Sequence, residues 1–136
     1  MRGLRGPSAR IGLAVLLTGL AFYLFLGYRS DYLGHYLAGF GGTLLLLALP
    51  PLFRRRLEGP ELLAIMLLAV SLGFGTEMTL FKIAKFDPVD FANQSAGACI
   101  AGLCLVNQRW EPGRAVRVFA VGALIAAAGV LSAHRC

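Results

Sequence analysis

The sequence predicts an all-α, polytopic membrane protein, a single transmembrane helical domain over residues 1–136 built as a bundle of about five helices. Hydrophobic residues make up 57% of the chain and charged residues 15%, well below the roughly 25% usual in soluble domains. The apolar residues form long runs with charges clustered between them. A span needs about 20 residues to cross roughly 30 Å of hydrocarbon. The segments that qualify are about 10–28, 32–53, 61–82, 88–107 and 115–133.

The first apolar segment begins like a secretory signal, because basic residues precede it. Arg2, Arg5 and Arg10 come before the apolar residues 11–26. That run is long for a signal peptide, and no small-residue cleavage motif follows it. We therefore interpret it as an uncleaved first transmembrane helix.

Prolines and glycines mark the ends of the second helix and the start of the third. Pro50-Pro51 is predicted to close the second helix, because proline lacks a backbone donor and restricts the residue before it. Gly59-Pro60 then begins the third. The connections are short, so neighbouring helices are expected to pack antiparallel.

The fourth helix has the weakest hydropathy, because residues 93–95 are polar, but its flanking signals are strong. Asp87 is predicted as N-cap, with Pro88 at the first helical position. Pro112-Gly113 is predicted to separate the fourth helix from the fifth.

The basic residues predict the orientation of the chain in a bacterial cytoplasmic membrane. Nine lie at one set of helix ends and four at the other, so the positive-inside rule places the N-terminus in the cytoplasm and the C-terminus outside. The net charge of +6 then suits topology and anionic headgroups, and nucleic acid is not expected as a partner. The first set is Arg2, Arg5, Arg10, Arg54, Arg55, Arg56, Arg109, Arg114 and Arg117; the second is Arg29, Lys82, Lys85 and Arg135.

Glu77 is a carboxylate inside apolar sequence, which makes it a functional-site hypothesis. An ionisable side chain costs roughly 2.5–3.5 kcal/mol at the centre of a membrane helix. Counting from Glu61 at about 1.5 Å per residue, Glu77 lies roughly 6 Å below the outer surface. His35 lies about 6 Å and Asn93 about 8 Å deep from the same side. Three helices thus place polar groups at one level.

Two aspartates lie just above this level and complete a candidate polar site. Asp31 and His35 are four residues apart and share a helix face. Each member also has a structural interpretation: a cap or dipole partner for the aspartates, a packing residue for His35, and interhelical hydrogen bonding for Asn93. The candidate residues, to which a catalytic role is assigned as a hypothesis, are Asp31, His35, Glu77, Asp90 and Asn93.

Small residues are predicted to pack the helices closely. Asp90 and Asn93 share a helical stripe with small residues further along the fourth helix, and residues 39–42 of the second helix contain three glycines. Such residues let membrane helices approach closely. Cys99 and Cys104 are predicted as small buried residues, with a disulfide or metal site as the alternative.

The order of the polar residues resembles that in VanZ-like bacterial membrane proteins, to which YjdF-like proteins are related. In that family a helix opens with an Asp-x-x-x-His motif, a glutamate comes late in the next helix, and an Asp and an Asn precede small residues. The similarity covers about residues 31–105. The matching residues here are Asp31, His35, Glu77, Asp90 and Asn93.

The chain departs from the VanZ-like pattern in three places. Phe81 and Lys82 follow the glutamate where the family often has a glutamine, the Asp-to-Asn spacing is three rather than four, and the fifth helix is additional. The family is linked to low-level teicoplanin resistance, but its biochemical activity is not generally defined. The resemblance therefore implies a class of protein rather than a reaction.

We expect first an outward-facing site that binds or acts on a lipid or cell-envelope component. His35 would accept a proton, because imidazole changes charge near neutral pH. Glu77 would donate one if burial keeps it protonated. A divalent cation held by His35 and the carboxylates is an alternative. Whether the protein is an enzyme, and with which cofactor, stays open.

Two other functions are consistent with the sequence. The first is a non-catalytic accessory or structural subunit, with the fifth helix and small-residue stripes docking a membrane protein partner or a second copy. The second is proton transport through Glu77 and His35. Transport is disfavoured because Ser71 is the one polar residue between Glu77 and Glu61 in the third helix, apart from Thr76 beside Glu77.

Overall fold

The computed structural model describes residues 7–25, 30–53, 58–79, 87–106 and 110–133. These residues form five α-helices and no strand, which confirms the all-α prediction. The helices are α1 (Pro7–Phe25), α2 (Ser30–Leu52), α3 (Gly59–Thr79), α4 (Pro88–Leu105) and α5 (Pro112–Ala133).

Three helices of the described chain are long and apolar enough to cross a membrane, which indicates a membrane protein. The qualifying stretches are Asp31–Leu52, Gly59–Thr76 and Gly113–Ala133. A shorter apolar stretch, Arg10–Gly19, lies in α1. The polar residues of α4 lower its hydropathy, as the sequence indicates.

The start of α4 is confirmed, whereas the start of α5 differs from the prediction. The Asp87 carboxylate accepts a hydrogen bond from the Val89 backbone N–H at 2.8 Å, and Pro88 follows at the first position. α5 begins at Pro112 itself, so this proline and Gly113 lie within the first turn rather than in a linker. The physical reason is that the first helical residue needs no backbone donor.

α2 is the central helix and contacts the other four. Its packing against α5 is antiparallel and very close. A Cβ added to Gly34 would lie 2.6 Å from the Ala133 nitrogen and 2.9 Å from the Gly129 oxygen. Further along, Gly41 lies against the backbone of Ala126. The two helices therefore meet backbone to backbone, which only small residues allow.

α4 packs parallel to α2, again through glycines. Gly97 lies against the backbone of Tyr36 and Phe40, and Gly39 lies against the backbone carbonyl of Gln94. Of the three glycines in residues 39–42, those at 39 and 41 are close-packed as predicted. Gly42 is different, because a Cβ there would meet no atom within 4 Å among the described residues.

α1 joins the bundle through the buried side chain of Ile11 and through polar contacts. The Tyr36 hydroxyl donates to Thr18 Oγ1 at 2.9 Å, and Cys104 Sγ lies 3.8 Å from the Arg10 carbonyl oxygen. Cys104 is buried as predicted, but Cys99 is exposed. That prediction was wrong because residue 99, at about 100° per residue, lies on the side of α4 opposite to Cys104 and α2.

α3 lies at the edge of the bundle and packs antiparallel against α4. A Cβ on Gly102 would meet the Met66 side chain, and the rings of Phe74 and Phe91 meet edge to face at 5.7 Å. Only 6% of the apolar stretch of α3 is buried, against 50% for α2. Most of α3 therefore faces the surroundings of the bundle.

Candidate functional site

His35 and Asp90 form a polar pair between α2 and α4. His35 Nε2 lies 3.6 Å from Asp90 Oδ2, and the two side chains are 13% and 18% exposed. Each residue sits in the first two turns of its helix, and the two helices run parallel. The structure thus brings together two candidate residues, of which the sequence placed Asp90 just above the level of His35. The pair is largely shielded but remains accessible.

Two further candidate residues lie one turn from the polar pair. Asp31 precedes His35 by one turn on α2 and is partly buried. Asn93 follows Asp90 by one turn on α4, and its Nδ2 is buried with no hydrogen-bond partner among the described residues. Asn93 lies within about 20° of Cys104 around the helix axis, and therefore faces the α1 side of α4.

Glu77 lies in the last turn of α3, and its side chain is outside the part of the chain that is described. Its backbone is one turn beyond Phe74, which packs against Phe91 next to Asp90. The C-terminal end of α3 therefore adjoins the N-terminal end of α4. Lys82 also falls outside the described residues.

No group of three or more His, Cys, Asp and Glu side chains that could hold a metal ion occurs within the described residues. His35 and Asp90 supply two such side chains. The divalent-cation hypothesis, which also used Glu77, stays a prediction.

Gln94 belongs to this region, although in the sequence it stands out only as a polar residue that lowers the hydropathy of the fourth helix. It lies one turn below Asp90 on the same face of α4. Its side chain is wedged between two glycines: a Cβ on Gly39 would lie 2.9 Å from Gln94 Cγ, and a Cβ on Gly73 would lie 2.7 Å from Gln94 Nε2. The sequence did contain a signal for this position: Gly39 follows His35, and Gln94 follows Asp90, by four residues, which places each pair on one helix face.

Gln94 carries a buried acceptor atom. Its Oε1 is shielded from solvent, and no hydrogen-bond partner for it occurs in the described part of the chain. Ser95 Oγ is in the same situation. Buried polar atoms are usually hydrogen-bonded, so such atoms call for an explanation.

A groove opens below Gln94 between α2 and α3. It has a volume of about 280 Å³. Its lining residues are Ala38, Gly39, Gly42, Thr43, Leu45 and Leu46 of α2, Ala69, Leu72, Gly73 and Thr76 of α3, and Gln94 of α4. Most of the lining is small or aliphatic. The hydroxyls of Thr43 and Thr76 lie along it, but each donates at 2.8 Å to a carbonyl of its own helix, at Gly39 and Gly73 respectively.

No protein-family model, curated protein or solved structure matches this chain. The interpretation of the site therefore depends on its geometry. Polar groups lie at the N-terminal ends of α2 and α4, and an apolar groove with one amide lies next to them along the helices. A polar region followed by an apolar groove is complementary to a molecule with a polar head and an apolar chain.

Proposed function

We propose that this protein is a multi-pass membrane protein that binds the polar headgroup of a lipid or lipid-linked envelope component through His35 and Asp90. The observation that carries the proposal is the approach of these two side chains, 3.6 Å apart on different helices and partly accessible. A carboxylate accepts hydrogen bonds from ammonium or hydroxyl groups, and an imidazole donates or accepts them.

The proposal includes five spans, with the N-terminus in the cytoplasm and the C-terminus outside. α1 and α4 contain 19 and 18 residues, which corresponds to about 27–29 Å and is close to the thickness of the hydrocarbon layer. The low hydropathy of α4 is compatible with a span because polar atoms of Asn93, Gln94 and Ser95 are buried against neighbouring helices. In this orientation the polar pair faces outward.

The resemblance to VanZ-like proteins supports the same proposal and remains part of it. Asp31 and Asn93 would border the headgroup, and Glu77 would approach it from α3. A reaction on the headgroup would use His35 as general base, held in place by Asp90.

Headgroup binding is tested by measuring lipid retention in variants of the polar pair. The protein is extracted in mild detergent, and its co-purified lipids are counted by native mass spectrometry. We expect His35→Ala and Asp90→Asn each to reduce retention roughly tenfold, which corresponds to the loss of one charge-assisted hydrogen bond.

Asp87→Asn is the matched control for this experiment. Asp87 is three residues from Asp90, but its carboxylate caps α4, and asparagine caps helices about as well. The Asp87→Asn variant should retain as much lipid as the wild type. Equal retention in the wild type, His35→Ala and Asp90→Asn would contradict the proposal.

An accessory role in a larger membrane complex is the second candidate function. The exposed side of α3 favours it, because large apolar residues such as Leu63, Leu67 and Leu68 are at least half exposed there. An apolar helix of a partner protein would cover this surface equally well in place of lipid. Stoichiometric co-purification of a second polypeptide would support this alternative.

A further inference from the structure

We propose that the groove between α2 and α3 holds the single apolar chain of the amphiphile whose head lies at His35 and Asp90. We further propose that the Gln94 amide recognises a hydroxyl or amide N–H at the junction between head and chain. This inference rests on the proposed function for the identity of the headgroup site, and it adds the chain site and its selectivity.

The polar pair and the groove are continuous along two helix faces. On α2, Gly39 follows His35 by four residues, and Gly42 comes next along the groove. On α4, Gln94 follows Asp90 by four residues. Each step is one helical turn, about 6 Å along the axis. A molecule with its head at the pair therefore has its chain junction at Gln94 and its chain beside Gly42.

The buried Oε1 of Gln94 indicates the chemistry of the junction. Gln94 lines the groove, and its Oε1 is buried with no hydrogen-bond donor among the described residues. Both lining threonines direct their hydroxyl protons to carbonyls of their own helices. A bound ligand that supplies an O–H or N–H would satisfy the amide, whereas a plain hydrocarbon chain would not.

The volume of the groove matches part of one chain. At about 30 Å³ for a water-sized group, 280 Å³ holds roughly nine such groups. A methylene group is of similar size, so the groove accommodates about half of one long chain. The remainder would extend into the bilayer along α3, where Leu72 is 51% exposed.

Gly42 makes the chain site testable, because a side chain can be added there without a clash. A Cβ on Gly42 would meet nothing within 4 Å among the described residues, although this residue lines the groove. Gly42→Leu therefore fills the space where the chain would lie. Gly12→Leu is the matched control, since Gly12 is also in open space by the same criterion but lies on α1, away from the groove.

The probes are lysophosphatidylethanolamine, which has one acyl chain and a free hydroxyl next to it, and its O-methyl ether, which lacks that donor. Binding of each to the intact protein in phosphatidylcholine nanodiscs is measured by native mass spectrometry. For the wild type and Gly12→Leu we expect roughly a tenfold preference for the free hydroxyl, the value of one hydrogen bond.

The variants separate the two parts of the inference. Gly42→Leu should lose at least tenfold in binding of both probes. Gln94→Leu should bind both probes equally. Circular dichroism confirms that each variant is folded, and Ala69→Leu, which fills the groove from α3, replaces Gly42→Leu if the latter does not fold.

The outcomes distinguish the chain site from the headgroup site. Loss of binding in Gly42→Leu but not in Asp90→Asn would support the chain site and contradict the proposed headgroup site. The reverse pattern would overturn the chain site and leave the proposed function in place. Wild-type binding by both groove-filling variants, or a second polypeptide displaced by Gly42→Leu, would overturn this inference.

Discussion

Alanine at Gly34 should destabilise the bundle, whereas alanine at Gly42 of the same helix should stabilise it. A Cβ on Gly34 would lie 2.6 Å from the Ala133 nitrogen, although ordinary contact begins at 3.4 Å. The atom it meets belongs to the backbone of α5, so the whole helix must move by several tenths of an ångström. Gly42 has no neighbour within 4 Å of the same atom in the described residues.

The magnitude follows from two opposing contributions. Alanine gains about 1 kcal/mol over glycine from helix propensity at either position. At Gly34 this gain is opposed by the overpacked contact with α5, which costs about 1–3 kcal/mol. The propensity gain is common to both variants and cancels in their difference. We therefore expect Gly34→Ala to be about 1–3 kcal/mol less stable than Gly42→Ala.

The assay is reversible unfolding of both variants and the wild type in mixed detergent micelles, followed by circular dichroism. Measuring the two alanine variants against each other removes the effect of the detergent on helix propensity. Equal free energies of unfolding would refute the reasoning, because they would show that α2 and α5 are not in backbone contact at Gly34.

Three further predictions concern other parts of the molecule. Gln94→Leu should raise the free energy of unfolding of the ligand-free protein by up to about 1–3 kcal/mol, because it removes a buried polar group that has no hydrogen-bond partner among the described residues. A clear loss in thermal stability would contradict this. Tyr36→Phe removes the 2.9 Å hydrogen bond to Thr18 and should lower the free energy of unfolding by about 0.6 kcal/mol, the average for such bonds between membrane helices. Chemical unfolding measures this change, and a loss of several kcal/mol would be inconsistent with a single hydrogen bond. Reporter fusions should place the N-terminus inside and the C-terminus outside, whereas two termini on one side would exclude an odd number of spans.

The sequence was sufficient to predict that the polar pair lies near the N-terminal ends of α2 and α4. Pro88 after Asp87 fixes where α4 begins, and depth then follows from a constant rise per residue. His35 and Asp90 could therefore be placed near the starts of separate helices, with Asp90 just above the level of His35. Their contact also required α2 and α4 to be neighbours, which depends on glycine packing between them.

The groove could not be predicted, because its existence depends on how helices cross. Gly39 and Gly42 are equivalent in the sequence, yet only Gly39 meets the backbone of another helix. Gln94 was missed because its polarity lowers the hydropathy of α4, while its position one turn below Asp90 carries the information. Cys99 was predicted to be buried but is exposed, because apolar neighbours in the sequence do not reveal which side of a helix faces the bundle.

The most direct test of the account is a native mass spectrum of the protein extracted from its own membrane in mild detergent. We expect the 14.5 kDa chain, or a homo-oligomer of it, to carry a bound lipid that is lost from His35→Ala. A mass that always includes a second polypeptide, with no lipid that depends on His35, would contradict the account and favour an accessory subunit.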